Sequence, residues 1–173
     1  FVPSRGLGDV YKRQIHGWKD DRVRQLLIGE EVSPLTGRSL REGVAEGELV
    51  VTNLTVATHL IGTPWMPSLD GAILVLEDVG EAPYRVDRML THWRTAGLLQ
   101  NLAGIGLGHF RWKPDDVLPG DLSLEQVLED RLGDLGIPII QGLPVGHGRP
   151  NKALPLGRRA RLDAQSGTLS VLS

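Results

Sequence analysis

Residues 72–78, AILVLED, constrain the fold more than any other stretch of this chain. Residues 72–76 are all apolar. A strand with one wet face alternates apolar and polar residues, so an unbroken run demands cover on both faces. Its flanks agree with a layered fold. Residues 84–97 place Val86, Met89, Leu90 and Trp93 at three- and four-residue spacing, the apolar face of a helix that ends at Gly97. The segment ELVV, residues 48–51, reads as a short strand, and Asn53 is placed to cap a helix that Gly62 and Pro64 stop. LAGIGLGHF, residues 102–110, reads as a strand whose glycines admit another backbone or a ligand. Ser123 with Gln126 three positions on is a capping-box signature for a third helix. IPIIQGL is a further buried strand, and RRARLDA and TLSVLS flank a turn at Gln165, Ser166 and Gly167. Alternating strands and helices predict an α/β fold: a mixed sheet with flanking helices and a C-terminal β-hairpin.

The N-terminal region reads differently. Residues 4–14, SRGLGDVYKRQ, look like a translated sequencing adapter, so residues 1–14 are read as a cloning or assembly scar. WKDDRVRQLLIG then reads as a short amphipathic helix ending at Gly29. Residues 30–47 are polar and Gly-rich and are expected to be a linker. Residues 15–47 are thus taken as the remnant of an N-terminal domain and an interdomain linker, and residues 48–173 as the domain proper.

Composition excludes several kinds of chemistry. A formal charge of −2 argues against a nucleic-acid partner. The absence of cysteine removes disulfides, zinc–thiolate sites and thiol catalysis, and fits a reducing compartment. No apolar run approaches the roughly 20 residues of a membrane span, and no signal peptide is visible. The sequon at Asn53 is therefore discounted. Gly104, Gly106 and Gly108 lack the dinucleotide fingerprint, and no P-loop is present. The histidines, at 16, 59, 92, 109 and 147, show no metal-ligand spacing. His59 and His92 fall within predicted helices, and His109 ends a strand.

Two residues stand out. Glu77 is an acid at the C-terminal end of the apolar strand, the edge where open α/β sheets build sites. Buried there, it needs a partner: a loop N–H, or Arg88. His147 follows another strand, between two glycines, in the proline-rich stretch GLPVGHGRPNKALPLG. An acid and an imidazole on neighbouring strand ends are two thirds of a nucleophilic triad. No serine of this chain sits in a G-x-S-x-G elbow; Ser68, in WMPSLDG, is the least implausible of them.

Three runs together resemble the C-terminal domain of the LD-carboxypeptidases, the serine peptidases of the murein tetrapeptide carboxypeptidase type with their microcin-immunity relatives. The runs are GELVVTNLTVATHLIGTPWMP, DGAILVLEDVGEAPYRVDRML and GLPVGHGRPNKALPLG, in the family's order. The resemblance covers the chain from about Asp20 onward. It implies a Ser-His-Glu triad split between two domains, with Glu77 as the acid, His147 as the base and the serine on an N-terminal domain outside this chain. It also implies a murein peptide substrate bound partly at Asn53, no metal or cofactor, a cytoplasmic location and a homodimer. The pattern departs at Val51 and Thr52, where the family usually has a Gly-Gly pair before Asn-Leu. Two further readings stay open: a microcin-immunity-like hydrolase of peptidyl-nucleotides, and a non-catalytic binding or dimerisation module.

Overall fold

The computed structural model describes residues 21–113, 116 and 120–172. The proposed scar, His16 and Trp18 lie outside the described residues. The elements, in chain order, are α1 (Arg22–Ile28), β1 (Leu35–Thr36), β2 (Arg38–Arg41), β3 (Val44–Asn53), α2 (Leu54–Thr58), β4 (Ile73–Val79), α3 (Pro83–Thr95), β5 (Gly104–Arg111), α4 (Leu124–Leu132), β6 (Ile139–Gln141), β7 (Arg159–Asp163) and β8 (Thr168–Val171).

The apolar run of β4 lies at the centre, as its composition requires. Its neighbours β3 and β5 are both parallel to it, and β6 continues the parallel set. Ile73, Leu74, Val75 and Leu76 are each 0% exposed. Full burial of each such side chain stabilises the fold by about 1.5–3 kcal/mol. Period-two alternation divides them between two cores. Leu74 and Leu76 pack with Val86, Leu90 and Trp93 of α3 and with Val127 and Leu132 of α4. Ile73 and Val75 pack on the opposite face with Leu143, Leu162 and Leu169.

The second face is covered by strands, not helices. The sheet order is β1-β8-β7-β3-β4-β5-β6-β2. Its two edge strands, β1 and β2, are consecutive in the chain and separated only by Gly37, so the sheet curls until its edges meet. The C-terminal hairpin β7–β8 is antiparallel and pairs with β3 on one side and β1 on the other. Residues 30–47, expected as a linker, instead contribute both sheet edges and the first residues of β3. Strands of two and four residues carry too little alternation to be read from sequence.

The helices start and stop where their chemistry dictates. Ser123 and Gln126 form the reciprocal capping box of α4. Asn53 caps α2, its side-chain oxygen accepting from the Val56 amide at 2.9 Å. Trp93 Nε1 donates to the Thr58 hydroxyl at 2.7 Å and so ties α3 to α2. Arg94 and Asp134 pair in a two-toothed bridge at 2.6 and 2.8 Å, joining α3 to the residues just after α4.

Candidate active site

The parallel register sets Asn53 of β3 directly beside Glu77 of β4. Opposite Glu77, the ladder to β5 slips. Leu76 pairs with Leu107, whereas Asp78 pairs with Phe110, so Gly108 and His109 together face one residue. Bulges of this kind re-aim side chains beside functional sites. Along its other edge, β5 bonds to the loop after β6. The His109 amide donates to the Val145 carbonyl at 2.9 Å, and the Leu107 carbonyl accepts from Leu143 at 2.9 Å. A Cβ on Gly108 would lie 2.7 Å from the Val145 carbonyl oxygen, so this strand glycine admits the close backbone approach that its sequence suggested.

That loop delivers His147 to Glu77. Oε2 of Glu77 accepts from His147 Nδ1 at 2.8 Å and from the His147 backbone amide at 3.2 Å. The carboxylate is an acceptor only, so Nδ1 carries the ring proton and Nε2 is left to exchange one. The Glu77 side chain is 9% exposed and that of His147 55%. The acid is therefore shielded while the imidazole stays accessible. Of the two partners weighed for Glu77, the loop N–H is the one present; Arg88 lies instead over the Tyr84 ring.

The other oxygen of Glu77 is also held. Asn53 Nδ2 donates to Glu77 Oε1 and to Asp78 Oδ1, both at 3.1 Å. Because Asn53 Oδ1 is committed to the Val56 amide, the orientation of its amide is fixed from both ends. Asp78 is 2% exposed. It accepts from the Thr55 amide and hydroxyl, each at 2.8 Å, and from the Val79 amide at 2.7 Å. Its buried charge is thereby matched by donors, as burial requires. A continuous chain of hydrogen bonds runs from His147 through Glu77, Asn53 and Asp78 to the start of α2.

Three residues overlooked in the sequence hold the His147 loop. Asn151 Oδ1 accepts from the Gly146 amide at 3.1 Å. Arg111 reaches the His147 carbonyl at 3.4 Å. Arg22, only 5% exposed, donates to the Ala153 carbonyl at 2.8 Å from α1. Gly146 has φ +100°, and a Cβ there would lie 2.5 Å from Glu77 Oε2, so both backbone and space require glycine. Gly148 packs against the His109 ring. His109 thus supports the loop from behind and does not line the cleft.

The cleft in front of His147 encloses about 550 Å³ and opens to solvent. Val51, Thr52, Glu77, Lys152 and Leu154 contribute to its walls. The two residues standing where the family usually has glycines are therefore part of the site. The Thr52 hydroxyl is engaged with the Asn53 carbonyl at 3.2 Å. Among the described residues no serine lines the cleft. Ser68 sits in an exposed loop, its hydroxyl accepting from the Asp70 amide at 3.3 Å. His59 and His92 lie outside the cleft. No group of three or more His, Asp or Glu among the described residues is placed to hold a metal ion.

Residues 46–162 match the family model of the LD-carboxypeptidase C-terminal domain. The chain belongs to the LD-carboxypeptidase family. A Synechocystis protein named as a carboxypeptidase is 50% identical over 155 residues, 90% of this chain and 52% of its own length. A crystal structure of muramoyltetrapeptide carboxypeptidase from Oxalobacter formigenes superposes with a TM-score of 0.75 at 33% identity, covering 86% of this chain and 52% of that one. The microcin C7 self-immunity protein MccF superposes with a TM-score of 0.68 at 26% identity, covering 79% and 40%. The chain thus spans about half the length of the LD-carboxypeptidase relatives that it matches. Its mixed α/β architecture agrees with these neighbours.

Proposed function

We propose that this chain supplies the acid and the base of a serine LD-carboxypeptidase that releases the C-terminal D-alanine of murein tetrapeptide. The observation that carries the reading is the 2.8 Å contact between His147 Nδ1 and Glu77 Oε2, with the imidazole facing an open cleft. In this reading the serine belongs to an N-terminal domain that closes over the cleft. Glu77 fixes the tautomer of His147 and stabilises the imidazolium as it forms. Nε2 takes the serine proton while the oxygen attacks the carbonyl carbon before D-alanine. It then returns the proton to the leaving amine, and water resolves the acyl-enzyme by the reverse sequence. The family resemblance further supports recycling of cell-wall peptides in the cytoplasm by a homodimer.

The test is to incubate the protein carrying both domains with murein tetrapeptide and follow the products by mass spectrometry. Loss of one alanine, with tripeptide accumulating, supports the reading. The likeness to the microcin immunity protein favours one second reading, hydrolysis of an aminoacyl or peptidyl nucleotide by the same His147 and Glu77. Running such a nucleotide in parallel decides between the two. Turnover of neither substrate would leave a binding module.

A further inference from the structure

A second cleft, of about 550 Å³, opens between α2 and the start of α3, lined in part by Thr55, His59, Glu81, Tyr84, Arg85 and Arg88. Hydrogen bonds through the buried Asp78 connect its wall to the candidate site. The Thr55 hydroxyl meets Asp78, Asp78 meets Asn53, and Asn53 meets Glu77.

The charges in this cleft do not balance. Arg85 Nη1 reaches Glu81 at 3.5 Å, and its Nε donates to the Tyr84 hydroxyl at 2.9 Å. Arg88 stands 6.0 Å from the centroid of the Tyr84 ring and forms no ion pair among the described residues. Arg85 and Arg88 are three positions apart on one helix, a spacing at which like charges repel. Both lie in the first two turns of α3, where the helix dipole is itself positive and the first turn holds no acid. His59 forms part of the wall, its Nδ1–H spent on the Thr55 carbonyl at 2.7 Å, so the arginines are the donors this cleft offers. Two guanidiniums gathered at the positive end of a helix, with one carboxylate to answer them, are arranged for an incoming anion.

We propose that this cleft is a specificity subsite that takes a side-chain carboxylate of the peptide substrate, with Arg88 as the principal contact. A guanidinium engages a carboxylate through two parallel N–H donors, which fixes orientation as well as charge. The Tyr84 ring, 47% exposed, and Met89 offer apolar cover for the methylene stem. The assignment rests on the reading of the protein as a peptidase and deepens it.

The test uses this chain and two end-blocked peptides, acetyl-Ala-Glu-Ala-amide and acetyl-Ala-Gln-Ala-amide, with NMR detection of the arginine Nε–H and histidine ring signals. The Glu peptide is expected to shift Arg88 and His59 with about tenfold tighter saturation than the Gln peptide. In Arg88→Gln that preference falls to about twofold or less, while the His147 signals stay in place. Equal titration by both peptides, no response to either, or a preference that survives Arg88→Gln would overturn the proposal. So would inorganic phosphate saturating Arg88 at a lower concentration than the Glu peptide, since the cleft would then read charge alone. No hydrolysis is involved. An unselective cleft would remove the subsite and leave the triad standing, whereas failure to release D-alanine would leave a demonstrated preference intact.

Discussion

His147 Nδ1 and Glu77 Oε2 stand 2.8 Å apart, although 70 positions separate the residues. Neither would reach the other without two structural details. Backbone bonds from the outer edge of β5 hold the loop after β6, and Gly146 allows that loop to pass against the carboxylate.

Asn53→Asp isolates the amide bridge. Aspartate is as good a helix cap as asparagine, so the bond to Val56 survives. What is lost is the donor between Glu77 and Asp78, and three carboxylates then crowd one another. Stability is expected to fall by roughly 1–3 kcal/mol at neutral pH, measured by urea denaturation. The loss should shrink on acidification, because a protonated carboxyl restores a donor. A penalty that is the same at all pH values would show that the bridge is not its cause.

Gly146→Ala tests the close approach. The residue must keep a left-handed conformation, and its methyl meets Glu77. A cost of roughly 1–3 kcal/mol is expected, together with loss of the downfield His147 Nδ1–H resonance. Retention of that resonance would mean that the pair tolerates what the geometry forbids.

Acid should loosen the join between α3 and the end of α4. The Arg94 guanidinium, by hydrogen bond first, holds the Asp134 carboxyl below its ordinary range. A depressed carboxyl contributes stability that is present above its unfolded value and is lost as pH falls through the folded one. Asp134→Asn should therefore be less stable than the parent at neutral pH. The two should converge as pH drops through the carboxylate range. Parallel stability curves down to the acid limit would contradict this.

This chain by itself should release no D-alanine from murein tetrapeptide. Among the described residues the cleft presents the proposed base without a serine, and the Thr52 hydroxyl donates to the Asn53 carbonyl. Turnover that survives repurification would show that a nucleophile lies within these residues.

The legible parts of the fold were those in which one residue pattern has one physical solution. An unbroken apolar strand must be central, a 3.6-residue stripe must face a core, and a Ser–Gln pair three apart caps a helix. The edges were not legible. β1 and β2 are two and four residues long, and they join the sheet only because it curls far enough for both ends to meet near Gly37. The first half of β3 was missed for a related reason, since its pairing with β7 depends on the hairpin folding back. At the site, Glu77 and His147 were visible as an acid and an imidazole on strand ends, but their supports were not. Asp78 follows Glu77 in sequence, and strand alternation sends it to the opposite face, toward the helices. That alternation was the one available sign that the second acid of LED anchors α2 while the first meets the imidazole. Arg22 and Asn151 act on a loop whose path no local pattern reveals.

The most direct test is the rate of D-alanine release when Glu77→Gln or His147→Ala is introduced into a protein that also carries the proposed serine domain, with folding checked by circular dichroism. Loss of either group should lower kcat on the order of 10³–10⁴-fold or more with little change in KM, because in the proposed mechanism both act on the proton in the transition state. A correctly folded variant that keeps kcat within about tenfold of the parent would contradict the assignment of that residue.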